Sequence, residues 1–149
     1  MKFIADAMLG KLAKRMRILG FDVFFDPALN DNEIIRLSLE QDRVILTRDK
    51  ALSARPLAIN HLFIKSEQVT EQLKQVCSSF PLKTAPFTRC SKCNEPIIFI
   101  AKQEILDLVP QHVSENNTVF YQCPKCCRIY WAGTHVINME RQNLKYLAI

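Results

Sequence analysis

Glycine is scarce in this chain of 149 residues; three glycines are too few for collagen-like or glycine-rich repeats. No uncharged apolar run reaches the roughly 18 residues of a membrane span. The opening Met1-Lys2-Phe3-Ile4-Ala5-Asp6 meets an acid before an apolar segment can form, so a secretory signal is not expected. No internal repeat and no low-complexity tract is found. Cysteine is almost missing from the first eighty residues, where Cys77 stands alone and reads as a small buried apolar residue. The three histidines, His61, His112 and His135, are far apart, and each reads as structural. These absences make a cytoplasmic location the default expectation.

Apolar residues make up 48% of the chain and charged residues 23%, which fits one ordinary globular domain or two small ones. The net charge of +5 is a modest hint of an anionic partner.

The sequence divides near residues 80–88, where Phe80–Phe87 carries two prolines and no clear period. The first part alternates strand and helix signals. Lys2–Asp6 is a short apolar run ending in an acid. Met8, Leu9, Leu12, Met16 and Leu19 recur at helical spacing, and Gly20 follows where a C-terminal cap belongs. Val23–Phe25 is a second run. Asn30 and Glu33 have the spacing of a capping box leading into a helix through Gln41. Arg43–Thr47 and Ala58–Ile64 read as strands, and Ser66 as the cap of a helix through about Val76. This order predicts an α/β fold with a parallel sheet flanked by helices, joined by right-handed crossovers. The second part shows three short strand signals, Ile97–Ile100, Thr118–Gln122 and Arg128–Ala132, and a closing helix or tail over Val136–Leu147. So short a module needs a staple.

That staple is legible. Cys90-Ser91-Lys92-Cys93 and Cys123-Pro124-Lys125-Cys126 are two C-x-x-C pairs separated by 29 residues. Each pair makes a tight knuckle, and two knuckles supply the four thiolates of a closed tetrahedral zinc site. With every position filled by the protein, such a zinc is structural. A redox C-x-x-C is the rival reading. Cys127 follows Cys126 directly and is either its replacement as ligand or a bystander; the spacing favours Cys126.

Two acids lie just beyond strand ends, Asp6 and Asp49, and a third, Asp31, starts the second helix. Ligands of open α/β sheets bind beyond the carboxyl ends of the strands. Converging carboxylates call for a cation, and Mg²⁺ or Mn²⁺ prefers oxygen ligands. The bland alternative is that Asp31 and Asp49 only cap helices. Lys11, Lys14 and Arg15 share one face of the first helix, opposite its apolar stripe, while Arg48 and Lys50 flank Asp49. Such cations either track phosphates or form a solvated face.

These motifs together resemble the Mut-seven C-terminal RNase domain family. Asp6-Ala7-Met8-Leu9-Gly10-Lys11-Leu12-Ala13-Lys14-Arg15-Met16-Arg17-Ile18-Leu19-Gly20-Phe21-Asp22 is similar to its opening D-x-M-L-G-[KR]-L-A-[KR]-x-L-R-x-L-G-[YF]-D. Asn30-Asp31-Asn32-Glu33-Ile34-Ile35, Val44-Ile45-Leu46-Thr47-Arg48-Asp49, both C-x-x-C pairs and Arg128-Ile129-Tyr130-Trp131-Ala132-Gly133-Thr134-His135 follow in the family's order. The likeness covers about residues 1–136. It implies a PIN-like nuclease domain over residues 1–82, a zinc ribbon over 83–149, and metal-dependent hydrolysis of RNA. It places Asp6, Asp31 and Asp49 as ligands of catalytic Mg²⁺ or Mn²⁺, and Cys90, Cys93, Cys123 and Cys126 as ligands of structural Zn²⁺. RNA, of no resolved class, is the implied partner. Lys11, Lys14, Arg15 and Arg48 would position its phosphates. Lys92, Lys125 and Arg128 would extend the surface, with Tyr130 or Trp131 either stacking on bases or packing inside the module. Arg15-Met16 departs from the family's aromatic–Leu pair. The fourth acid of many PIN domains has only Glu67 as counterpart, read as lying within the helix. The alternative is a non-catalytic nucleic-acid-binding or protein-adaptor module.

Overall fold

The structure is a computed structural model, and it describes residues 1–133. His135 and the Val136–Leu147 segment lie outside the described residues.

Four parallel strands, β1 (Lys2–Ala5), β2 (Asp22–Phe25), β3 (Arg43–Thr47) and β4 (His61–Phe63), form a sheet in the order β2-β1-β3-β4. Alternation along β1 and β3 divides the core between two faces. Phe3, Ala5, Val44 and Leu46 pack with Leu12 and Met16 of α1 (Gly10–Ile18) and with Leu73 and Val76 of α4 (Val69–Ser79). Ile4 and Ile45 pack with Ile34 and Ile35 of α2 (Asp31–Gln41) and with Leu52 of α3 (Lys50–Ser53). Burial on both faces explains why these strands read as continuous apolar runs rather than alternating ones.

Local chemistry sets the helix ends. The Asn30 side chain accepts from the Glu33 amide at 3.1 Å while Glu33 accepts from the Asn30 amide at 2.9 Å, so the expected capping box forms. At the end of α1 the Gly20 amide reaches the Arg17 carbonyl and the Phe21 amide reaches the Met16 carbonyl, a Schellman motif. Gly20 has φ +91°, and a Cβ there would lie 2.1 Å from the Ala85 carbonyl oxygen. The expected linker is therefore laid against α1, with the Ala85 amide bonded to the Leu19 carbonyl at 2.9 Å and Phe80 and Leu82 packed on the core.

Three expectations need correction. The first helix does not run from Met8: a 3-10 turn at Ala7–Leu9 precedes α1, and Met8 is exposed, because the Asp6 carboxylate holds the Met8 amide and tightens the turn. Ser66 does not cap α4; its hydroxyl accepts from the amide of Gln68, the residue just before the helix. Glu67 lies in that bend rather than in the helix.

Beyond the linker, β5 (Ile98–Ile100), β6 (Phe120–Gln122) and β7 (Ile129–Trp131) form an antiparallel sheet in sequence order. Between β5 and β6 lie a 3-10 turn at Lys102–Ile105 and a short α5 (Gln111–Asn116) that the sequence reading did not anticipate. They supply Ile105 and Val113 to a small core with Phe120, against which Trp131 packs.

Candidate functional site

The chain leaves β1 outward to β2 and crosses back to β3, so the topological switch point lies between the carboxyl ends of β1 and β3. Asp6 and Thr47 sit there. Asp6 is 5% exposed, and one of its oxygens, Oδ1, accepts from the Met8 amide at 2.9 Å. Its Oδ2 takes the Thr47 hydroxyl in a short hydrogen bond and the Arg48 amide at 3.1 Å. Thr47 Oγ1 in turn accepts from the Asp49 amide at 2.8 Å. One buried hydroxyl thus links the Asp6 carboxylate to the backbone amide of Asp49. From sequence alone Thr47 reads only as a strand residue; its position two before Asp49 is the signal that marks it.

Asp49 is exposed and is the N-cap of α3, its Oδ1 accepting from the Ala51 and Leu52 amides at 2.7 and 3.4 Å. Capping and ligation are not exclusive here. Each carboxylate oxygen can accept twice, so Asp6 Oδ1 keeps one acceptor position and Asp49 Oδ2 is left out of the capping bonds. Asp31 occupies the first turn of α2 after Asn30, at the same carboxyl edge of the sheet, with Arg55 Nη1 3.9 Å from its Oδ2. The three acids do not close into one donor shell. Among the described residues, the group of three or more His, Cys, Asp or Glu ligand atoms within 4.8 Å of one another is the cysteine set.

The cations are distributed unevenly. Lys11 and Lys14 are exposed on α1. Arg15 donates to Thr70 Oγ1 of α4 at 3.1 Å, and Arg48 pairs with Glu67 at 2.9 Å beside the Asp6 edge. Arg17 is buried and holds the second module in place: its guanidinium donates to the carbonyls of Val23 at 2.9 Å and Lys92 at 2.7 Å.

Cys90, Cys93, Cys123 and Cys126 come together as the spacing predicted, with Cys90 and Cys126 sulfurs 3.7 Å apart. Zinc–sulfur bonds of about 2.3 Å at tetrahedral angles require nearly that separation, so the donor set fits Zn²⁺. Burial raises the Cys90 thiol, but the Tyr130 hydroxyl 3.0 Å away and the Cys93 and Lys92 amides outweigh it and bring Cys90 down to about 6. Desolvation and the neighbouring Cys126 and Cys90 push Cys93 up to about 12. Four thiols this close release all their protons only when a cation takes up the charge. Tyr130 therefore orients a ligand, and Trp131 packs inside the module, so neither ring is free for the stacking considered from sequence.

The two knuckles share one backbone pattern. The Asn94 amide bonds the Cys90 carbonyl and the Cys127 amide bonds the Cys123 carbonyl, both at 2.9 Å. Asn94 and Cys127 both have positive φ, 66° and 57°. Cys127 is an exposed left-handed turn residue outside the four-sulfur set.

The first knuckle docks on the open edge of β2. Asn94 accepts from the Val23 amide at 3.0 Å and donates to Asp22 at 2.8 Å. Asp22 also pairs with Arg43 at 2.7 Å and Arg89 at 3.4 Å. Burial raises the Asp22 carboxyl, but the hydrogen bonds from Arg43 and Asn94 and the charges of Arg43 and Arg89 hold it below its ordinary value. Covering an edge strand in this way blocks pairing with other chains.

A parallel α/β sheet with linked acids at its switch point, joined to a four-cysteine module, is the frame of a nuclease-like protein with a metal-binding appendage. The chain belongs to the Mut7-C RNAse domain family, whose model matches residues 1–143. No curated protein and no solved structure matches it. Among the described residues no helix is long and apolar enough to cross a membrane.

Proposed function

We propose that the chain is a PIN-like ribonuclease that hydrolyses RNA phosphodiester bonds, with residues 1–82 as the nuclease domain and 83–149 as a zinc ribbon. The observation that carries this reading is the Thr47 hydroxyl at the switch point, which donates to the Asp6 carboxylate and accepts from the backbone amide that begins Asp49. Asp6 and Asp49, with Asp31 at the same edge, are the residues to hold Mg²⁺ or Mn²⁺. When bound, such an ion lowers the pKa of a water and offsets negative charge on the phosphate. Thr47 fixes the Asp6 carboxylate so that its remaining lone pair faces one way. Lys11, Lys14, Arg15 and Arg48 supply positive charge along α1 and beside Asp49, contacts that are largely indifferent to base sequence. Zn²⁺ on the four cysteines folds the second module rather than taking part in hydrolysis, because all four tetrahedral positions are filled by protein.

A second reading, a non-catalytic nucleic-acid-binding module, draws on the capping role of Asp49. One experiment separates them: cleavage of labelled RNA by zinc-loaded protein with and without added Mn²⁺, for wild type and Asp49→Asn. Asn caps a helix as well as Asp does, so the variant folds. The ribonuclease reading expects Mn²⁺-dependent cleavage that falls at least a hundredfold in the variant while RNA binding persists. RNA binding without any Mn²⁺-dependent cleavage to lose favours the binder.

A further inference from the structure

We propose that the outer face of the three-stranded sheet is a stacking platform for the bases of single-stranded RNA, built from Phe99, Tyr121 and Phe87. This rests on the RNA reading above and adds to it a binding site on the second module. Register places Phe99 opposite Tyr121, so these two rings share one face, on which Tyr130, opposite Tyr121, is taken up by its bonds to the first knuckle. The other face is occupied by the module's own core, where Phe120 is fully buried.

This face is fixed at one end and open at the other, with Tyr121 and Phe87 half-buried between. Tyr130 anchors one end through its hydroxyl bonds to Cys90 and to the Ser91 amide. Phe87 stacks on Tyr121 with ring centres 6.3 Å apart and planes at 17°. Phe87 has φ +57°, a conformation that bulky side chains rarely adopt. Phe99, at the other end, is 65% exposed. Such strain commonly marks ligand-holding positions.

Charge selects the occupant. Arg128 precedes β7; the Cys123 amide bonds its carbonyl at 3.0 Å, which extends the β6–β7 pairing by one residue and puts Arg128 on the Tyr130 face, exposed and without a side-chain partner among the described residues. The chain as a whole carries +5. Flat aromatic rings beside a free guanidinium on an open sheet face suit unpaired bases on a phosphate backbone. Double-stranded RNA hides its base faces and does not suit them.

The test uses the full zinc-loaded chain without added Mg²⁺ or Mn²⁺. Anisotropy reports binding of labelled oligouridylate and of an abasic ribose-phosphate oligomer of equal length. Phe99→Ala is expected to weaken oligouridylate binding about fivefold or more, the loss that one base stack represents. Phe99→Tyr is expected to restore it, and the abasic oligomer to bind wild type no better than oligouridylate binds Phe99→Ala. Wild-type affinity in Phe99→Ala overturns the proposal. Equal binding of both oligomers by wild type, binding of neither, or equal loss in Phe99→Tyr overturns it too. Phe99-dependent binding by a protein that cleaves nothing would sink the ribonuclease reading and leave the platform standing.

Discussion

Asn94 and Cys127 are the same residue of two copies of one turn. Each follows the second cysteine of its knuckle, each has positive φ, and each carbonyl accepts from the side chain preceding the knuckle: Arg89 at 2.7 Å and Gln122 at 3.3 Å. They differ in employment, because the Asn94 amide grips Asp22 and Val23 whereas Cys127 faces solvent. Asn tolerates the left-handed region and cysteine does not, at a cost of about 1 kcal/mol. Cys127→Asn should therefore keep its zinc and unfold at higher denaturant, by about 1 kcal/mol. Zinc loss in Cys127→Asn would make Cys127 the ligand instead of Cys126.

Docking of the first knuckle ties the sheet to the metal. Stripping zinc should release Asn94 and Arg17 from the β2 edge. Hydrogen exchange is expected to show faster exchange of the Val23 amide on chelation, while Ile45, in the sheet interior, keeps its protection. Unchanged exchange at Val23 would mean that the knuckle holds its shape without metal.

Asp22→Asn leaves Arg43, whose side chain is 9% exposed, without its charge partner. The loss should be roughly 2–3 kcal/mol at pH 7, discounted from a fully buried pair because Asp22 is 17% exposed. The folded carboxyl titrates below its ordinary 3.8, so this contribution is complete above that value and is lost only as pH falls through the lower, folded one. Urea midpoints of wild type and variant should thus differ by a constant amount from pH 7 to pH 5. A gap that shrinks within that window would assign the effect to another group.

Gly20→Ala combines positive φ with a Cβ 2.1 Å from a backbone oxygen. A destabilisation of more than ~2 kcal/mol is expected in thermal or urea unfolding. A near-neutral result would mean that the Ala85 segment can lift off α1.

Much of this was written locally in the chain. The runs at Lys2–Asp6 and Arg43–Thr47, the Asn30–Glu33 box and the paired cysteines each depend on neighbours within a few residues, and each stands where the spacing put it. What escaped depends on partners far along the chain. Arg17 looked like one more cation on a basic helix until Lys92, 75 residues on, supplied its acceptor. Thr47 read as a strand residue because its role needs Asp6, 41 residues away. The helix at Gln111–Asn116 is too short for a helical period to stand out. The carboxylates were legible as strand-end acids, but their spacing in space was not, because the caps at Met8 and Ala51 decide which oxygens stay open.

The central claim is that Asp6 and Asp49 share a divalent cation at the switch point. Titrating Mn²⁺ into zinc-loaded protein, with free ion followed by electron paramagnetic resonance, tests it without reference to any substrate. The account predicts a site in wild type and in the exposed-surface control Asp107→Asn, weakened at least tenfold in Asp49→Asn. Equal Mn²⁺ uptake by Asp49→Asn and wild type would contradict it.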